Sequence, residues 1–202
     1  MSVNIQCVPV GDIIGENCYL LYDEGRKDAL VVDPGADGEK IKAALKALHK
    51  TPAAVLLTHG HFDHTGALMD FSECPIYLHQ ADAFMLDDPD MNVGRRFGDE
   101  KKRPPATNFV SDGDEFPLAG LSIRVLSTPG HTPGGVCYIV NDELMLTGDT
   151  LFHRAYGRVD HPGGDLNVLF GSLKRLLRLP KDYPIYPGHG GASTIFRERD
   201  GR

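Results

Sequence analysis

The stretch Thr58-His59-Gly60-His61-Phe62-Asp63-His64 places four metal-binding side chains within six positions. Neutral imidazole and ionised carboxylate both bind divalent cations. Three histidines this close repel one another when protonated, and an uncharged surface loop gains little from them. A metal removes both objections, so the chain reads as a metalloenzyme. The cluster directly follows Val55-Leu56-Leu57, an apolar run that reads as a buried strand. Its ligands therefore sit at a strand's C-terminal end, where α/β folds gather their sites. His59 and His61 are two apart, and Asp63 and His64 are adjacent, so one loop can direct two histidines to one metal and an Asp/His pair to another. Gly60 and Gly66 let the backbone turn tightly around them.

Two metal shells need more ligands, and these must also lie at strand ends. Three segments qualify. Gly130-His131-Thr132-Pro133-Gly134 follows the strand-like Ile123–Leu126, Gly148-Asp149-Thr150 follows Leu144–Leu146, and Pro187-Gly188-His189-Gly190 follows Ile185–Tyr186. A lone histidine after a strand is ordinarily a surface or hydrogen-bonded residue. Three such segments in register with H-x-H-x-D-H reverse that reading.

Other short apolar runs read as strands: Ile5–Val10, Cys18–Tyr22, Ala29–Val32, Ile76–Leu78 and Val136–Val140. Asn141-Asp142 reads as a hairpin turn. Ile41, Ala44, Leu45 and Leu48 form a helical stripe with Asp37 as N-cap. Leu166, Leu169, Phe170, Leu173, Leu176 and Leu177 form another, with Asp165 as N-cap and Pro180 beyond its end. Gly66–Phe71 and Ala81–Leu86 are weaker helical candidates. Strands interspersed with helices, with hairpins beside βα units, predict an α/β protein with mixed sheets. Residues 87–108 show no periodicity and carry Pro104-Pro105, so they read as a mobile loop bordering the site or a plain surface loop.

At 202 residues, 41% hydrophobic and 24% charged, the chain is expected to form one domain over residues 1–202 with a core that needs no staples. A net charge of −7 argues against nucleic-acid or anionic-membrane partners, which require a basic footprint. Cys7, Cys18, Cys74 and Cys137 form no C-x-x-C pair and read as buried reduced thiols. The N-terminal residues lack a signal-peptide pattern, and no apolar run approaches the ~18 residues of a membrane span. Cytoplasmic residence is the default expectation.

The quartet T-H-G-H-F-D-H, G-H-T-P-G, G-D-T and P-G-H-G resembles the metallo-β-lactamase superfamily, and within it the glyoxalase II (hydroxyacylglutathione hydrolase) group. Val32-Asp33-Pro34-Gly35 and Gly157-Arg158-Val159-Asp160 also look like family segments. The resemblance implies a four-layer αββα sandwich with a dinuclear site on one edge. His59, His61 and His131 would hold the first metal, and Asp63, His64 and His189 the second. Asp149 would bridge them, together with a water or hydroxide that attacks the substrate carbonyl. Asp63 and Asp149 are then the expected catalytic carboxylates. The metals would be zinc, with iron or manganese as alternatives, since mixed N/O ligand sets accept all three. The implied substrate is a small hydroxyacyl-thioester, S-lactoylglutathione or a related thiol conjugate. The sequence ends soon after His189, without the helical region that supplies glutathione contacts in longer glyoxalase II enzymes, and so is most similar to short single-domain relatives. A mononuclear-iron persulfide dioxygenase of the same fold and a lactone or ester hydrolase are the competing readings, and metal count separates the first of them. Flavin-dependent diiron reductases carry Glu where this chain has His61.

Asp33 is expected either to accept a hydrogen bond from a liganding imidazole or simply to form a turn before Pro34. His49 is expected to favour a helix dipole and His79 to be structural. His153 and His161 are candidates to line the pocket, and Arg154 and Arg158 to pair a substrate carboxylate or form structural salt bridges.

Overall fold

Alternation decides which way each strand faces. In Cys18-Tyr19-Leu20-Leu21, Cys18 and Leu20 pack into one buried cluster while Tyr19 and Leu21 pack into another on the opposite face. The same period of two runs through Ala29–Val32 and Ala54–Leu57. The computed structural model describes residues 2–12 and 14–201. It contains a first six-stranded sheet in the order β1-β2-β3-β4-β5-β6. These strands are β1 (Asn4–Val10), β2 (Glu16–Tyr22), β3 (Asp28–Val32), β4 (Thr51–Leu56), β5 (Ile76–His79) and β6 (Asn108–Val110). The first three pair antiparallel and the rest parallel, so the sheet is mixed.

The second sheet is built from β7 (Glu115–Leu118), β8 (Leu121–Ser127), β9 (Val136–Val140), β10 (Leu144–Gly148), β13 (Pro184–Pro187) and β14 (Ser193–Thr194), in the order β14-β13-β10-β9-β8-β7. It too is mixed, because β10 and β13 run parallel while the other pairs run antiparallel. A small hairpin, β11 (Leu151–Phe152) with β12 (Ala155–Tyr156), follows β10.

Leu30, Val32 and Leu56 from the first sheet meet Ile123, Val125, Tyr138 and Leu146 from the second. The outer faces are covered by helices. Ile41 and Leu45 of α1 (Gly38–Ala47) pack on the first sheet, and Leu169, Leu173 and Leu176 of α3 (Leu166–Leu177) pack on the second. Ile195 of α4 (Ile195–Asp200) joins the latter cluster. The layers are helix, sheet, sheet, helix, the αββα arrangement expected. No helix among the described residues is long and apolar enough to cross a membrane.

Strands β8, β10 and β13 run in one direction, so their C-terminal ends share an edge. Polar ties align that edge with the end of β4. Tyr138 donates its hydroxyl to the Leu57 carbonyl at 2.9 Å, and the Val136 amide donates to the Thr58 carbonyl at 2.9 Å.

Several expectations need correction. Asp37 occupies the N-cap position in a left-handed conformation but makes no cap bond, because its carboxylate accepts from the Gly11 amide instead. Asp165 does cap α3, accepting from the Asn167 and Val168 amides. Residues Gly66–Phe71 are not an α-helix: α2 (Phe62–Thr65) ends before them, and Leu68–Phe71 is a 3-10 turn. Gln80–Leu86 is likewise 3-10. The stretch 87–108 is structured, with a 3-10 turn at Gly94–Phe97 and buried Asn92, Val93 and Arg103. Cys18 and Cys137 are buried, but Cys7 is exposed on edge strand β1 and Cys74 is half-buried. Asn141 and Asp142 form the expected turn, both at positive φ.

Candidate metal centre

All seven expected ligands converge at the shared strand edge. His59, His61 and His131 form one group of ligand atoms lying within 4.8 Å of one another, and Asp63, His64 and His189 form another. Asp149 stands between the groups. Its Oδ1 lies 3.3 Å from His64 Nε2, and its Oδ2 lies 3.5 Å from His131 Nε2 and 3.4 Å from His189 Nε2. Asp63 Oδ2 is 3.4 Å from His189 Nε2.

The far nitrogens of the imidazoles show why these rings point as they do. His131 Nδ1 donates to the Arg158 carbonyl at 2.7 Å, and His189 Nδ1 to the Gly15 carbonyl at 2.7 Å. His64 Nδ1 donates to Asp33 Oδ2 at 3.0 Å. Each bond places a proton on Nδ1 and turns Nε2 toward the centre, where its lone pair becomes available to an ion once Nε2 carries no proton. Asp33 does more than expected. It accepts from the Thr58 amide and from the Thr58 hydroxyl, both at 2.7 Å. That hydroxyl has given its proton to Asp33, so it accepts from His59 Nδ1 at 3.1 Å. One buried carboxylate thus orients a histidine in each group.

His59 Nε2 and His61 Nδ1 face each other at 3.1 Å. His61 Nε2, His64 Nε2, His131 Nε2 and Asp149 Oδ1 are buried with no hydrogen-bond partner. Leaving buried polar atoms unpaired is costly, at about 1–3 kcal/mol each. A cation shared by lone pairs would satisfy them, and the mixed N/O donor set suits a borderline divalent ion. The backbone leaves room for such a cage. A Cβ on Gly188 would fall 2.4 Å from Asp149 Oδ1 and from His64 Cε1.

Electrostatics divides the two groups. Burial, then neighbouring His131, pushes the His61 pKa down to about 3, and burial drives His59 far below its ordinary value as well. These rings are neutral and ready to ligate. Burial also opposes charge on His189, but Asp149 and Asp63 outweigh it and hold the imidazole up at about 10. His64 is raised too, because Asp149 and Asp33 override the same burial. Without a metal, imidazolium protons supply the positive charge that the two aspartates require.

Three residues that the sequence did not single out lie around the cage. Asp82, fully buried, accepts from the Gly60 amide at 3.0 Å, the Thr132 hydroxyl at 2.7 Å and the Gly134 amide at 2.6 Å. It clamps the loop bearing His59 and His61 to the loop bearing His131. Glu16 is buried 3.8 Å from His64 Nδ1, and burial pushes its pKa well up. Arg103 Nε donates to the Thr65 hydroxyl at 2.7 Å, fastening the 87–108 stretch to α2.

A cleft of about 420 Å³ opens over the cage, lined by His61, Asp63, His131, Asp149 and His189 on its polar side. Val93 and Phe97 also line it, so the 87–108 stretch does border the site. So do His161 and Arg158, whereas His153 instead faces Glu198 at 3.0 Å. His79 is structural, accepting from the Ala81 amide.

Residues 11–189 match the family described as the Metallo-beta-lactamase superfamily. The hydroxyacylglutathione hydrolase GloC of Haemophilus influenzae is 34% identical over 98% of this chain and 95% of its own length. Among solved structures, the BLEG-1 B3 metallo-beta-lactamase superposes with a TM-score of 0.90 at 36% identity, covering 98% of this chain and 97% of its own. TTHA1623 in a di-iron-bound form superposes with a TM-score of 0.84 at 36% identity, covering 96% of each chain.

Proposed function

This chain belongs to the metallo-beta-lactamase superfamily, and from that premise we propose that it is a dinuclear hydrolase of hydroxyacyl-thioesters of the glyoxalase II type. The substrate would be S-lactoylglutathione or a related thiol conjugate. The observation that carries the reading is Asp149, whose carboxylate faces His64, His131 and His189 at once. A carboxylate between two ligand groups is suited to bridging two ions. His59, His61 and His131 would hold one, and Asp63, His64 and His189 the other. The ions would be zinc, with iron or manganese as alternatives. Relatives support the hydrolase class.

Bound there, divalent cations would lower the pKa of bound water to roughly 7 and polarise a carbonyl oxygen. The chain's own residues do the rest. Asp33, Arg158 and Gly15 fix the ring orientations through the bonds described above. Asp63 and Asp149 line the cleft and stay ionised despite burial, through His189 and His64 where no cation is bound and through the cations where they are. Their oxygens would accept a hydrogen bond from the attacking water and orient it. Apolar residues line the cleft around them.

The complete second group, Asp63, His64 and His189, favours two metals over the one-iron dioxygenase reading. The test is metal content titrated against S-lactoyl-thioester hydrolysis by purified protein. Activity rising up to two equivalents per chain is expected. Full activity at one equivalent, or oxygen uptake on a persulfide without thioester cleavage, would reject the reading.

A further inference from the structure

We propose that the thioester taken by this site carries a neutral, apolar thiol rather than a polyanionic one, an inference that rests on the thioester reading and narrows it. The cleft beside the cage is walled by Ile14, Phe62, Val93, Phe97, Phe152 and Tyr156. Phe62 and Phe97 stack with centroids 4.9 Å apart and planes at 17°. Tyr156 meets Phe170 edge-on at 5.6 Å. Phe97 is 38% exposed and so presents ring surface that an apolar group would cover.

Charge points the same way. The arginine that lines the cleft, Arg158, is engaged at Nε and Nη2 by Asp160, at 2.7 and 2.6 Å. Arg96 is exposed and stands outside the cleft lining, though its charge reaches His161 at the cleft. Past Ile14 and Phe62 the groove continues between Asp12, Asp37, Asp70 and Asp99, with Lys101 among them. Lys42 is already paired with Asp70 at 2.8 Å and Arg103 with Asp99 at 3.2 Å, so a carrier with several carboxylates or phosphates finds few partners there. A neutral aromatic or branched carrier needs none and gains ring contact.

In the reaction, a water oxygen bonds to the carbonyl carbon and the C–S bond breaks with its electron pair on sulfur. The carboxylic acid and the free thiol leave, with the protons supplied by that water. The experiment uses the metal-loaded full chain and follows thiol release from three substrates sharing one acyl group. These are S-lactoylglutathione, S-lactoyl-N-acetylcysteamine and the S-lactoyl ester of benzyl mercaptan. We expect kcat/KM for the benzyl thioester to exceed that for the glutathione thioester by about tenfold. Phe97→Ala should narrow the benzyl-to-N-acetylcysteamine ratio by about threefold, through KM. Phe97 is half exposed, so this variant should keep the fold. A glutathione thioester turned over as fast as the benzyl one, or a ratio that Phe97→Ala leaves unmoved, overturns the inference while the hydrolase reading stands. If none of the three outpaces the Asp149→Ala protein, the thioester reading itself fails.

Discussion

Within the cage, four of the five histidines have one nitrogen held by a carbonyl, a hydroxyl or a carboxylate. The cleft wall beside it is joined largely through ring contacts, such as Phe62 on Phe97 and Phe152 against His189 at 6.0 Å. Hydrogen bonds are directional and fix an atom's position, whereas ring contacts tolerate sliding and tilting. The cage is therefore built for one reaction geometry and the wall for a class of shapes. Chemistry and substrate choice are separable here, and substitutions should reveal it.

The sharpest break is expected at Asp149→Ala. Losing the carboxylate that faces three histidines should lower kcat by about a thousandfold, with an unchanged circular dichroism spectrum. Residual activity within tenfold of the parent would mean that the cage is not organised around it. Next come the anchors. Asp33→Ala frees His64 directly and His59 through Thr58, so metal affinity should fall by about a hundredfold, measured by competition with a chelator. Asp82→Asn keeps the backbone clamp in part and should cost about tenfold. If Asp33 and Asp82 variants bind metal like the parent, the cage does not depend on its hydrogen bonds as argued.

The wall should respond more gently. Phe152→Ala is expected to raise KM by roughly threefold with little change in kcat, because it removes area and no directed bond. The smallest effect concerns what holds the wall. Glu198 of α4 accepts from the Arg154 amide at 2.7 Å and from the Ser193 hydroxyl at 2.5 Å, and it faces His153, fastening the turn of the β11–β12 hairpin. Burial works against its charge, but Ser193, Arg154 and His153 outweigh it and lower its pKa. A carboxylate depressed in the folded state contributes stability that is complete above its unfolded value, about 4.3, and is lost as pH falls through the folded value. Glu198→Gln should therefore reduce Tm by about 2–4 °C at neutral pH, and the difference should close on acidification. A gap that widens in acid would contradict the assignment.

How far the sequence could be read follows the same division. His59 to His64 are local, so spacing alone exposed them. His131, Asp149 and His189 were legible because each sits in a Gly- or Pro-marked loop after an apolar strand. Asp82 was not legible. Its partners lie 22, 50 and 52 residues away, and in sequence it looks like a polar residue on a weak helix. Residues 87–108 resisted assignment because their order comes from side-chain bonds rather than periodicity. Asn92 donates to the Met85 carbonyl, and Arg103 reaches Thr65. The exposed Cys7 was misread because an apolar run on an edge strand still shows one face to water.

The ligands are divided between the two sheets. His59, His61, Asp63 and His64 hang from the end of β4, while His131, Asp149 and His189 follow β8, β10 and β13. Any ion shared across that line would act as a rivet between halves otherwise joined by apolar packing and a few hydrogen bonds. Each rivet adds to resistance against unfolding by mass action, about 2.7 kcal/mol when free ion stands at a hundred times its Kd. Metal supply would then set the lifetime of this protein as well as its catalytic rate, and a melting curve would serve as an assay for occupancy.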